Sequence, residues 1–259
     1  MGRRARKTHV QQSFARYAKR LDKNGQLRGA RKGEKRKGVG RPCKGARPGE
    51  RHEVRKAFRS NVPLHVILRA HPAVGSLRKG EVLHAIRDAL ITVFKHDDFH
   101  IVQFSVQRTH LHLLVEASGR EALGKGMQAF GISAAKQINR LIRDAEGKRR
   151  RGSVFPDRYH VRFLKTPRQV RNCLAYVLNN WRHHDEDRGT QSRHWKIDPF
   201  SSAITFEGWK EREADGGRFI QPPTFVAPLV WEPSTWLLKV GWRRHGLISA
   251  FEVPGGGAE

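Results

Sequence analysis

The chain has 259 residues, enough for one large or two small domains, with 51 Lys and Arg against 24 Asp and Glu and a formal net charge of +27. A surplus of that size selects a polyanion as ligand, because each phosphate neutralised by Lys or Arg releases counterions. No apolar run approaches the ~20 residues of a membrane span and no signal-peptide core is visible, which points to a cytoplasmic, nucleoid-associated protein without a membrane partner. The two cysteines, Cys43 and Cys173, fit neither a disulfide framework nor a thiolate zinc site.

Residues 1–59 hold 21 Lys and Arg and four acids. Such a segment buries little apolar surface, so it is read as a basic, disordered DNA-binding arm, with a short amphipathic helix around Phe14, Tyr17 and Leu21.

A globular pattern follows. Residues 62–70 alternate as a strand, with Leu64, Val66 and Leu68 on one face. Residues 77–95 carry Leu83, Ile86, Leu90, Val93 and Phe94 at helical spacing. Residues 99–107 form a second strand, with Val102, Phe104 and Val106 on one face. Residues 110–117 form a third, with Leu111, Leu113 and Val115 inward. Arg108 and Thr109 between them predict a two-residue hairpin, although they lack the usual Gly or Asn. Ser118 and Glu121 predict a capping box for the next helix, whose first half is weakened by Gly124, Gly126 and Gly131. Residues 153–164 read as a fourth strand. Thr166, Pro167 and Gln169 then open a helix that runs to about His184. This is an α+β, ferredoxin-like β-α-β-β-α-β core followed by one more helix. Both crossover helices cover one face of the sheet and leave the other for a site. The domain reading is a basic arm at 1–59, a core at 60–184 and a Trp-rich extension at 185–259 that packs on it. In that extension "TWLLKVGWRRHG" (235–246) reads as a short helix or strand ending in a basic patch.

His110 and His112 lie two apart on a strand, so both imidazoles leave one face. With 14 histidines in the chain such a pair arises by chance about once. Its place on a strand, with Leu111 facing inward, raises its value. On the last helix, Val170, Cys173, Leu174, Val177, Leu178 and Trp181 form a buried arc. Tyr176 and Asn180, four apart, flank it, and His183 extends that stripe. On helix grounds alone a half-buried Tyr176 and a surface Asn180 are the commoner arrangement. The combination nevertheless fits a specific chemistry. A tyrosine hydroxyl titrates near ~10 and needs help as a nucleophile. A metal on the scissile phosphate stabilises the charge that builds there. Two imidazoles and an amide oxygen leave coordination positions open, and Mg²⁺ or Mn²⁺ fits the chemistry.

His110-Leu111-His112 resembles the HUH motif, and a downstream helix bearing Tyr176 and Asn180 resembles that of the single-tyrosine HUH transposases. "RTHLHLLVEA" and "FPDRYHVRFLKTPRQVRNCLAYVLNN" are similar to the REP-associated tyrosine transposases, over roughly 60–184. Many relatives carry Asn before the first motif histidine, where this chain has Thr109. The resemblance implies a metal-dependent endonuclease and transposase acting on single-stranded DNA at or near a hairpin. It implies a 5′-phosphotyrosine at Tyr176, metal binding by His110 and His112, a third ligand at Asn180, and a monomer or homodimer. Arg158, Tyr159, His160, Arg182, His183, Arg243 and Arg244 are the candidate DNA contacts. Tyr159 is assigned to packing or base stacking. Glu116 shares the parity of the histidines but lies near the strand end. The alternative is a non-catalytic, domesticated hairpin-binding protein.

Overall fold

A computed structural model of the chain describes residues 54–143, 147–184, 197–214 and 229–254. The helix expected around Phe14, Tyr17 and Leu21, Cys43, and all but the last residues of the basic arm lie outside them. Four strands, β1 (Leu64–Arg69), β2 (Phe99–Val106), β3 (His110–Ala117) and β4 (His160–Phe163), form an antiparallel sheet in the order β2-β3-β1-β4. Helix α1 (Gly80–Phe94) links β1 to β2, α2 (Arg120–Leu141) links β3 to β4, and α3 (Pro167–His183) follows β4. This is the ferredoxin-like arrangement.

The pleat sorts the sheet into two cores. Leu64, Val66, Leu68, Leu111, Leu113 and Val115 pack with α1 and α2. The opposite face holds Leu114 and receives α3, with Val170, Cys173, Leu174, Val177 and Leu178 buried against it. Two expected turn devices are present. Gln107 N–H donates to the carbonyl of His110 and closes the Arg108–Thr109 turn. Thr166 Oγ1 accepts from Gln169 N–H at 3.2 Å, with Pro167 at the first helical position.

The structure departs from the pattern in three places. A β-bulge between Ile101 and Gln103 turns Val102 to the α3 face, whereas Phe104 and Val106 join the α1–α2 core. The fourth strand is confined to four residues. Pro156 has no N–H for a ladder, and Val154 is drawn into the α1–α2 core, its carbonyl accepting from His71 N–H. At the start of α2 the N-cap is Gly119, with no side-chain cap, so the Ser118 capping box does not form.

Helix α2 runs unbroken through its glycines. A Cβ on Gly126 would lie 2.1–2.5 Å from the ring of Phe99, so glycine is what allows α2 to approach β2 closely. A Cβ on Gly124 meets nothing within 4 Å.

The extension closes the molecule. Val106 N–H donates to Phe200, Ser202 N–H to Phe104 and Trp231 N–H to Ile101, which covers the edge of β2. Short helices α4 (Glu211–Ala214) and α5 (Trp236–Lys239) and a 3₁₀ turn (Gly241–His245) complete the chain order. Leu238, Trp242, Ile248 and Ala250 pack in the same core as α3.

Gly126→Ala is expected to cost ~1–3 kcal/mol in denaturant unfolding through overpacking against Phe99. Gly124→Ala is expected to gain up to about 1 kcal/mol from helix propensity. Equal midpoints for the two variants would contradict the packing assigned to α2.

Candidate active site

Strand β3 turns His110 and His112 to the face that α3 crosses. Their Nε2 atoms lie 2.8 Å apart. His112 is 1% exposed and His110 half-buried. From β1, His65 brings its Nε2 to 3.0 Å from His112 Nδ1. Thr109 Oγ1 lies 3.1 Å from His110 Nδ1. Each imidazole of the pair thus has a partner on its outer nitrogen, which leaves the two Nε2 atoms facing one another.

Helix α3 lays its stripe on this cluster. The Tyr176 ring lies 5.2 Å from that of His112 and 6.0 Å from that of His65, centroid to centroid. Eight residues on, the ring of His184 lies 6.2 Å from that of His110. Asn180 is one helical turn from each, on the same stripe of the helix. It is fully buried, and neither its Nδ2 nor its Oδ1 has a hydrogen-bond partner. A buried, unsatisfied amide costs roughly 1–3 kcal/mol, and such groups cluster where a ligand completes them. The stripe continues through His184 rather than His183, because the 4-residue step from Asn180 ends there. His183 is exposed, its ring 5.2 Å from that of His184.

The electrostatics keep these nitrogens neutral. Burial, with Arg162, His160 and His110 nearby, holds His65 down to about 3. Burial, His184 and Arg69 hold His110 down to about 4. Burial, helped by His65, His110 and His184, holds His112 well below its usual range. Burial, His183 and Arg78 also lower His184. The charged neighbours named in these causes are cationic, and of them Arg78 is ion-paired with Asp198.

Among the described residues no group of three or more His, Cys, Asp and Glu side chains is arranged to hold a metal ion. The donors that fit are His110, His112 and the Asn180 amide. Two nitrogens bound at about 2.0–2.2 Å to one ion lie ~3.0 Å apart at a right angle and ~3.5 Å apart at a tetrahedral one. The observed 2.8 Å, a hydrogen-bonding distance, is close to the right-angle separation.

The other sequence candidates scatter. By register His160 and Arg162 share the face of His65 at the β4 edge, both exposed. Tyr159 packs on the α1–α2 side, under the Arg55 guanidinium at 3.9 Å, and Arg158 beside it is half-buried. Arg182 Nε donates to Ala250, and its guanidinium lies over Trp181 and Phe251. Glu116 is an anchor: its carboxylate accepts from the N–H and hydroxyl groups of both Ser234 and Thr235. Arg243 and Arg244 are exposed. Sequence reasoning missed His65. Its parity on β1 gives the signal, since Leu64 and Val66 face the other way, but only strand pairing brings it to His112.

The family model described as "Transposase IS200 like" matches residues 59–180. This segment belongs to the IS200-like transposase family. The family is one of transposases, which cleave and rejoin DNA. The chain is also similar to a solved structure of a REP-associated tyrosine transposase bound to a REP hairpin, at 16% identity and a TM-score of 0.42, over 71% of this chain and 100% of that one. Comparison with curated proteins gives no match. Among the described residues no helix is long and apolar enough to cross a membrane.

The buried histidines predict an acid-sensitive fold. His65 and His110 stay neutral in the folded chain but take up protons near ~6.5 when exposed. The unfolded chain therefore binds more protons below that pH, and stability falls as the pH drops from about 6.5 towards their folded values of about 3 and about 4. Unfolding midpoints from pH 7 to pH 4 should fall, and His65→Asn should fall less steeply. Parallel slopes in the two proteins would contradict the burial assigned to His65.

Proposed function

We propose that this chain cleaves and rejoins a single strand of DNA at or near a hairpin, with Tyr176 as nucleophile and Mg²⁺ or Mn²⁺ held by His110, His112 and Asn180. One observation carries the reading. The Tyr176–Asn180–His184 stripe lies on the histidine pair, with the Asn180 amide buried and unpartnered between its two ends.

The Tyr176 hydroxyl gives up its proton as its oxygen attacks the phosphorus of a phosphodiester, the phosphorus–O3′ bond breaks, and the 3′ oxygen takes up a proton and leaves. The product is a 5′-phosphotyrosine and a free 3′ hydroxyl, which keeps the energy of the phosphodiester for reversal onto a new 3′ end. The divalent ion, when bound, supplies Lewis-acid stabilisation of the phosphate oxygens. His65 and Thr109 orient His112 and His110. Arg69 and Arg162 supply positive charge for the strand, and His160 lies on the same face. Arg158, Arg182 and His183 would contribute only peripheral contacts, and Tyr159 packs on the far side of the sheet. Nucleophile and histidines come from one chain, which supports a site complete in a single protomer. The basic arm adds non-specific phosphate contacts.

Incubating the full chain with Mn²⁺ and a hairpin oligonucleotide carrying single-stranded flanks should give a covalent adduct that survives denaturing electrophoresis. Tyr176→Phe should abolish it with hairpin binding nearly unchanged. His110→Ala or His112→Ala should lower its rate by at least ~100-fold. Retention of the adduct in Tyr176→Phe would sink the assignment, and binding without any adduct in the wild type would favour a domesticated hairpin-binding protein.

A further inference from the structure

Residues 181–254 extend past the family match, and the described part of that stretch treats its tryptophans unequally. Trp181, Trp209 and Trp242 are buried, and Trp231 is half-buried between His100 and Phe94. Trp236 is 49% exposed. A lone exposed aromatic carries no message, but this one sits in a built setting. Thr235 caps its short helix and is itself fixed by Glu116. Gly241 packs against the indole so closely that a Cβ there would lie 2.7 Å from the ring. The Arg244 guanidinium lies 4.8 Å from the ring centroid. Lys239, Arg243, Arg244 and His245 are all exposed within the same ten residues, and no acid lies between Thr235 and Phe251. Neighbouring Leu238 and Trp242 are buried against α3, so the patch is tied to the helix that carries Tyr176.

We propose that Trp236 and Arg244 form a stacking platform for an unpaired DNA base, with Lys239 and Arg243 meeting the adjoining phosphates. This deepens the reading above, on which the choice of DNA as partner rests, by naming where the strand outside the cleavage site is held. An exposed indole beside a row of exposed cations matches unpaired nucleic acid: every base offers a π-face, a guanidinium plane extends the stack, and phosphates complement the charge. A protein surface would supply carboxylates for these cations and gain little from an indole already layered with arginine. Duplex DNA keeps its base faces covered. The platform therefore discriminates strand state and is indifferent to sequence.

The test compares binding of the full chain to single-stranded oligothymidylate and to a strand of equal length with abasic sites throughout, by fluorescence anisotropy. Trp236→Ala should weaken binding to oligothymidylate roughly 5- to 100-fold and leave the abasic strand unchanged, while Trp236→Phe keeps most of the affinity. Gly241→Ala, which pushes on the ring without removing it, should give an intermediate loss. Arg244→Ala should weaken both strands and flatten the dependence of log affinity on log salt by about one phosphate contact. An unchanged affinity in Trp236→Ala, or an equal loss on both strands, would overturn the platform. Melting curves of Trp236→Ala matching the wild type show that any loss is not misfolding, and a melted variant hands the decision to Trp236→Phe and Gly241→Ala. The adduct assay separates the two readings: adduct formation with no base-dependent loss removes the platform alone, and a base-dependent loss with no adduct leaves the platform without the nuclease.

Discussion

Burial of the apolar arc of α3 is the constraint on which the site depends. Val170, Leu174, Val177 and Leu178 must leave water, and the sheet face opposite α1 and α2 is where they do so. Burying a side chain of this size contributes roughly 1.5–3 kcal/mol, so four fix the helix against the sheet far more firmly than any polar contact could. Once the arc is seated, the residues flanking it have no freedom. Tyr176, Asn180 and His184 come down on the imidazoles that β3 lifts from the same face. The candidate site is thus positioned by a hydrophobic contact that contains none of its polar groups.

That arrangement puts polar groups in a dry place. His65 and His112 satisfy one another at 3.0 Å, and His110 leans on Thr109. The Asn180 amide has no such relief. A fold selected for stability alone would place an apolar residue there. Under the proposed function, a phosphate arriving with its metal would meet the neutral imidazoles, the orphan amide and the nearby arginines. The extension adds rigidity from behind. Glu116 holds Ser234 and Thr235, Arg78 grips Asp198, and Asn179 and Arg182 hold the backbone at Ser249 and Ala250.

Sequence periodicity made much of this legible, because period 2 and period 3.6 report burial directly. Leu111, Leu113 and Val115 marked the inward face of β3 and so placed His110 and His112 on the other; the arc of α3 marked Tyr176 and Asn180 in the same way. What escaped depends on contacts between segments distant in the chain. His65 needs the β1–β3 register, Glu116 needs Ser234 and Thr235 over a hundred residues away, and the bulge that turns Val102 has no local signature. Helical phase misled by one residue at the end of α3, where His184 takes the place expected of His183. Gly126 looked like a helix breaker until Phe99 beneath it showed why no side chain fits.

Under the proposed function the histidine pair binds a divalent ion through both Nε2 atoms. The most direct measurement is electron spin-echo spectroscopy of Mn²⁺ added to the full-length protein with a non-cleavable hairpin strand. Nitrogen couplings from two imidazoles are expected, reduced to one in His110→Ala and in His112→Ala. Mn²⁺ coordinated by water and phosphate oxygens alone, with no imidazole nitrogen in the wild-type spectrum, would contradict it.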